Sequence, residues 1–140
     1  MKPQLFALLT AAAWGIGGYF EKKGLHAGNL SPQVGITIRT FVAMIVLGIV
    51  SWPQLRTVGQ ADGKALLTLV VGGGLVAGSI GMLSFYAAIK GAPLSRVMPI
   101  AFTSPLFGAL AAVVLGGEAL TLKAALGMML TVGGIVLLTT

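Results

Sequence analysis

The chain has 140 residues, of which 56% are hydrophobic and 9% are charged, and its mean hydropathy is +0.99. A soluble domain carries about 25% charged residues, so this chain lacks the polar surface that water requires, and we predict an integral membrane protein. Cysteine is absent, which excludes disulfides and thiolate metal sites. The formal net charge is +6, but the basic residues are scattered. This pattern argues against nucleic-acid binding and is typical of loop anchors.

Hydrophobic runs separated by polar breaks predict an all-α fold with five transmembrane helices, at about residues 4–20, 32–52, 65–89, 94–117 and 122–139. A spanning helix needs roughly 20 apolar residues. The first run ends at the basic pair Lys22–Lys23, as a stop-transfer flank does; the alternative is a signal peptide cleaved after Ala13. A polar loop is predicted from Glu21 to Gln33, and Ser31 with Pro32 indicates the start of the second helix.

The third helix is rich in glycine and begins after Asp62, a candidate cap. Gly74 and Gly78 form a GxxxG pattern, which lets a neighbouring helix approach closely. We interpret it as packing within one subunit; the alternative is a dimer seam.

The fourth hydrophobic run contains Pro99 and Pro105 and carries no charge between Val97 and Gly117. Internal prolines bend a helix and are tolerated in membranes where neighbours satisfy the freed carbonyls. We therefore expect either a bent, pore-lining helix or an ordinary kinked membrane helix.

Residues 118–121 follow that run before the last helix begins. Thr121 is expected to cap the last helix, and Glu118 is expected at a helix end, with a capping role or, alternatively, a gating role.

The acidic residues Glu21, Asp62 and Glu118 are all expected at helix ends or in loops, and the single histidine, His26, in the first loop. Proton-coupled carriers commonly use an intramembrane carboxylate or histidine, so the sequence does not indicate proton coupling. No catalytic constellation, metal-ligand cluster or phosphate-binding loop is present. We therefore predict a protein that is not an enzyme and needs no cofactor or metal.

A few polar and aromatic residues inside the predicted helices are candidates for a substrate site. Arg39 lies about 10 Å inside the second helix, and an intramembrane charge indicates a functional site, although it can also snorkel to the interface. Trp14 can line a cavity, and Ser84 and Tyr86 can offer hydrogen bonds to a substrate. The alternative for these three is packing or interface anchoring.

The basic residues are divided almost equally between the two sides of the membrane. Five helices place the termini on opposite sides, and orientation depends on a basic imbalance. The side of the N-terminus carries Lys2, Arg56, Lys64 and Lys123, and the other side carries Lys22, Lys23, Lys90 and Arg96, with Arg39 nearer to that second side. We therefore expect dual topology, with copies inserted both ways, or a single orientation set by other features.

Several of these motifs resemble the EamA family of the drug/metabolite transporter superfamily. The matching features are Trp14–Gly15, the early arginine of the second helix, and the segments AIKGAPLSRVMPI (residues 88–100) and LGGEALT (residues 115–121). The resemblance covers nearly the whole chain and implies one five-helix half of a ten-helix, inverted-repeat transporter. It also implies that the first, third and fourth helices line a central cavity, near Trp14, Ser84, Tyr86, Pro99 and Pro105.

These observations predict a multi-pass protein of the plasma or inner membrane that moves small metabolites or drugs by alternating access. The expected partners are a small-molecule substrate, the lipid bilayer and a second, antiparallel copy, with the cavity between the two inverted copies near the bilayer midplane. One alternative is a non-transporting scaffold or regulatory subunit. Another is a flippase for a lipid-linked substrate, in which Arg39 meets a phosphate head group.

Overall fold

The computed structural model describes residues 3–139, which are helical apart from short connections. The chain divides into two compact units, Met1–Gly91 and Ala92–Thr140. Within the described residues, three helical segments are long and apolar enough to cross a membrane: Pro32–Gln60, Gly63–Gly91 and Leu94–Gly116. The all-helical, membrane-type fold is therefore confirmed.

The first unit begins with a helical hairpin. Helix α1 runs from Pro3 to Ala27, and α2 runs from Pro32 to Ser51 and continues as a 3₁₀ segment, Trp52–Gln60. Ser31 caps α2, since its hydroxyl accepts a hydrogen bond from the backbone N–H of Val34 at 3.3 Å. The start predicted for the second helix at Ser31 and Pro32 is thus confirmed.

The predicted end of the first helix is wrong. The expected polar loop began at Glu21, but α1 continues for seven further residues to Ala27, because charged side chains such as Glu21 and Lys22 are good helix formers. The helix stops where glycine and asparagine follow: Asn29 has a left-handed φ of 46°, a conformation that asparagine tolerates well. The connection is therefore only residues 28–31.

The second long segment of the first unit is Gly63–Gly91, and its helix type changes along its length. It consists of α3 (Gly63–Thr68), a π-helical segment (Leu69–Gly81) and α4 (Met82–Gly91). The Ser79 hydroxyl donates to the carbonyl of Gly74, five residues earlier, at 3.0 Å. Asp62 holds the cap position of α3, but its side chain makes no capping hydrogen bond.

The buried core of the first unit lies near one end of its helices. Leu25 of α1, Ile36 of α2, and Tyr86 and Ile89 of α4 are its buried large side chains. Most other apolar side chains of the unit are uncovered, including Trp14 at 56% exposure. In a membrane-spanning chain such faces contact lipid or another subunit.

The second unit contains α5 (Leu94–Ala101), α6 (Ser104–Gly116) and α7 (Leu122–Thr139), and α5 packs against α7. The expected single helix over residues 94–117 is interrupted between α5 and α6. Tight i→i−3 bonds mark the interruption: Thr103 N–H donates to the Ile100 carbonyl at 3.0 Å, and Leu106 N–H donates to the Thr103 carbonyl at 2.9 Å. Pro105 follows in the first turn of α6, where its missing N–H costs nothing.

Helix α6 ends at a glycine, as the sequence suggests. Gly117 has a left-handed φ of 67°, as glycines at helix ends commonly do. The backbone N–H groups of Gly117 and Glu118 both donate to the Ala112 carbonyl, that of Glu118 at 3.1 Å. Thr121 then caps α7, because its hydroxyl accepts from the Ala124 N–H at 3.2 Å. The predicted Thr121 cap is confirmed.

Candidate functional site

A charged cluster joins the three helical segments of the first unit at one end. The Nε of Arg39, on α2, lies 2.8 Å from Oε1 of Glu21, on α1. The hydroxyl of Tyr86, on α4, faces the same carboxylate, to which it can donate a hydrogen bond. The side chain of Glu21 is 19% exposed and that of Arg39 is 38% exposed, so the ion pair is partly covered by protein.

All three residues lie at a similar depth in their helices. Glu21 is six residues before the end of α1, Arg39 is seven residues after the start of α2, and Tyr86 is five residues before the end of α4. At 1.5 Å per residue these separations are about 8–10 Å. The cluster therefore lies inside the helical unit rather than in its loops.

The same end is closed by two crossed lysine contacts. The Nζ of Lys22, on α1, donates to the carbonyl of Ile89 on α4 at 2.6 Å. The Nζ of Lys90, on α4, donates to the carbonyl of Leu25 on α1 at 3.0 Å. Carbonyls in the last turn of a helix lack intrahelical partners and favour a nearby cation, so each lysine stabilises the end of the other helix.

A glycine allows this close approach. A Cβ placed on Gly35 of α2 would overlap Cδ2 of Leu25 and lie 3.0 Å from Cε1 of Tyr86. Ordinary carbon–carbon contacts are about 3.5–4.0 Å, so a larger residue would push α2 away from α1 and α4. Gly35 therefore sets the spacing that lets Arg39 reach Glu21.

A groove of about 540 Å³ lies between α2 and the π-helical segment. A Cβ placed on Gly74 or Gly78 would have only backbone atoms of its own segment within 4 Å. The groove is lined by Gln33, Ile36, Thr37, Thr40, Phe41, Met44, Gly74, Gly78, Ser79 and Leu83. It is mainly apolar, with a few polar groups and no charged side chain in its lining.

The structure brings two of the predicted site residues together, Arg39 and Tyr86, through Glu21. It does not bring Trp14 or Ser84 into the cluster or the groove: both are exposed, and the Ser84 hydroxyl donates to the Ile80 carbonyl of its own helix at 2.8 Å.

The remaining predicted residues belong to the second unit. Pro99 lies inside α5, Pro105 begins α6, and Glu118 lies in the connection to α7. The role of each in transport stays a prediction.

Glu21 was not predicted as a site residue, because the sequence interpretation assigned it to a loop. The expectation that Glu21 lies at a helix end or in a loop is wrong, because Glu21 lies six residues before the end of α1. A signal was available: residues 21 and 39 are almost equally distant from the connection at residues 28–31. In an antiparallel hairpin such residues lie at the same level.

Comparison with known families identifies the class of protein. The family model described as the EamA-like transporter family matches residues 1–140. The chain therefore belongs to the EamA-like transporter family, as its motifs suggested, and has a membrane transporter-type function. No match was found among curated proteins or among solved structures.

Proposed function

We propose that this protein moves a small metabolite or drug across a cell membrane by alternating access, as a homodimer of antiparallel copies. The observation that carries the proposal is the Glu21–Arg39 ion pair, with Tyr86 beside it, inside the helices of a transporter-family chain. Ionisable groups at membrane depth are expensive to bury and generally mark a pathway or a moving contact.

The polar contacts are better suited to a gate that opens than to a permanent link between the helices. Glu21, Lys22, Lys90 and Arg39 link the ends of α1, α2 and α4 through polar contacts that involve long side chains. Such contacts can exchange partners with little backbone movement, and the apolar groove beside them is already open. In the proposed cycle this end closes one side of the cavity.

The antiparallel pairing is supported by the charge distribution and by the uncovered surface. The two sets of basic residues are nearly equal, which gives little orientation bias. Large apolar side chains remain exposed along α1 and α2, including Phe6, Phe20, Phe41 and Ile49, and an inverted second copy would cover part of them.

Transport can be tested in two stages with purified protein. Thermal unfolding is first measured with a panel of metabolites and drugs, since a ligand that binds only the folded state raises the midpoint. Compounds that stabilise the protein are then tested for flux into liposomes that contain the wild-type protein or the Glu21→Gln/Arg39→Gln variant. We expect flux with the wild type and a large loss with the variant.

The control for this experiment is Asp62→Asn, which also removes a charge; Asp62 lies at the start of α3, and its side chain makes no capping hydrogen bond. Equal flux in liposomes with and without wild-type protein, for every stabilising compound, would contradict transport and favour a scaffold or regulatory subunit. Normal flux in the Glu21→Gln/Arg39→Gln variant would remove the ion pair from the mechanism.

A further inference from the structure

We propose that the groove between α2 and the π-helical segment is a binding site for an uncharged, largely apolar molecule that carries a hydrogen-bond donor. The claim that the groove holds the transported substrate rests on the proposed transport function. The claim that the groove binds such a molecule does not. The groove lies entirely within the first unit, and its volume of about 540 Å³ falls in the usual range for ligand sites, about 300–1,000 Å³.

The shape of the groove follows from where α2 can and cannot touch its neighbour. At Gly35 the contact with Tyr86 is too close for a methyl group. Farther along, at Gly74 and Gly78, no side chain of another helix lies within 4 Å of an added Cβ. The π-helical segment therefore leaves α2 uncovered along the groove, whose lining on α2, from Gln33 to Met44, extends about 16 Å along the helix axis.

The polar groups in the lining define the chemistry of the ligand. The Thr37 hydroxyl donates to the Gln33 carbonyl at 2.8 Å, and the Ser79 hydroxyl donates to the Gly74 carbonyl at 3.0 Å. Because both protons are used, these two oxygens present acceptor lone pairs to the groove. Thr40 also lines the groove, and its side-chain hydroxyl makes no hydrogen bond with another residue in the described range 3–139, so this oxygen is also available.

The absence of charge in the lining decides between neutral and ionic ligands. None of the residues that form the groove is acidic or basic, and an ion buried without a partner is strongly disfavoured. The apolar body of the ligand would contact Ile36, Phe41 and Met44. The glycines of the π-helical segment leave its backbone accessible, and π-helical turns occur frequently at functional sites.

The test uses N-phenyl-1-naphthylamine, a neutral apolar fluorophore with one N–H donor, and the protein in lipid nanodiscs. Empty nanodiscs supply the lipid background. Two analogues test the chemistry: the N-methyl derivative lacks the donor, and 8-anilino-1-naphthalenesulfonate adds a negative charge to the same rings. We expect saturable binding of the first probe and weaker binding of both analogues.

Two matched variants locate the binding. Gly74→Leu places a side chain in the groove and should weaken binding by at least about tenfold, the scale of a steric mismatch in an apolar pocket. Gly72→Leu adds the same side chain to the same segment, where an added Cβ meets no atom within 4 Å, and Gly72 does not line the groove. The Gly72→Leu variant should bind the fluorophore as the wild type does.

A third variant, Thr40→Val, keeps the side-chain shape and removes one acceptor. It should weaken the N–H probe by about three- to tenfold, the value of one neutral hydrogen bond, and leave the N-methyl derivative unchanged. If Gly74→Leu does not fold, the binding of the two probes to Thr40→Val tests the groove site by itself.

Unchanged binding in both Gly74→Leu and Thr40→Val, or equal binding of the sulfonate, would overturn the groove site. Loss of flux with intact probe binding would instead reject transport and leave the site standing.

Discussion

Replacing Gly35 by alanine should weaken the first unit, although alanine is the better helix former. The added methyl would overlap Cδ2 of Leu25 and lie 3.0 and 3.1 Å from two ring carbons of Tyr86. Leu25 and Tyr86 are each only 2% exposed, so neither side chain has free space to move into. Overpacking of this kind costs about 1–3 kcal/mol.

Gly48→Ala is the matched control, because Gly48 lies in the same helix and an added Cβ there meets no atom within 4 Å. Both substitutions gain the same helix propensity, about 0.5–1 kcal/mol, so this gain cancels in the comparison. Gly35→Ala should therefore unfold with a free energy about 1–3 kcal/mol lower than that of Gly48→Ala. For a chain of this size the midpoint should fall by about 3–5 °C per kcal/mol.

Thermal unfolding in a mild detergent, followed by circular dichroism at a helical wavelength, measures this difference. A second variant, Leu25→Val, shortens the side chain that the new methyl would meet. In the double variant with Gly35→Ala the loss should be smaller than the sum of the single losses, by about 0.5–3 kcal/mol. Equal midpoints for Gly35→Ala and Gly48→Ala would refute the close packing of α2 on α1 and α4.

Three further predictions concern the stability of the ion pair, transport and topology. Arg39→Ala should destabilise the folded protein by about 1–3 kcal/mol, because it leaves the Glu21 carboxylate without its ion-pair partner. Adding Glu21→Gln should recover part of that loss. If the losses of the two single variants simply add in the double variant, the pair is not coupled. Pro105→Ala should restore an N–H at the α5–α6 break and slow flux more than it changes abundance; unchanged flux would remove the break from the gating movement. A reporter fused after Thr140 should signal from both sides of the membrane. Two lysines added after Thr140 should leave one orientation and abolish flux, and co-expression of a copy biased the opposite way should restore it. A single orientation in the wild type would exclude dual topology.

Local chemistry made some features of the fold predictable. A serine followed by proline before an apolar run indicates a cap and a first turn, and Ser31 and Pro32 fill these positions. Thr121 was identifiable as a cap for the same reason, since its hydroxyl competes well for a free N–H. In each case the partner lies within three residues, so the information is contained in a short stretch of sequence.

The features that were missed depend on contacts between distant residues or on a change of helix type. Lys22 and Lys90 resemble loop anchors in the sequence, yet each reaches a carbonyl more than 60 residues away. Nothing local to Glu21 shows that it faces an arginine across a hairpin. The π-helical segment also could not be predicted, because glycine-rich sequences permit several helix types and hydrophobic periodicity does not distinguish between them.

The first unit is therefore asymmetric along its length. One end is held by an ion pair, two lysine–carbonyl bonds and a close glycine contact, whereas an open groove lies between α2 and the π-helical segment. If two copies pair in opposite orientations, each face of the membrane receives one closed end, and a symmetric dimer is closed on both sides. A substrate can then enter only when the closed end of one copy loosens while the other holds. In such a dimer the polar contacts at that end would oppose its opening, and removing Lys90 from one copy of two covalently linked copies should bias access toward a single face.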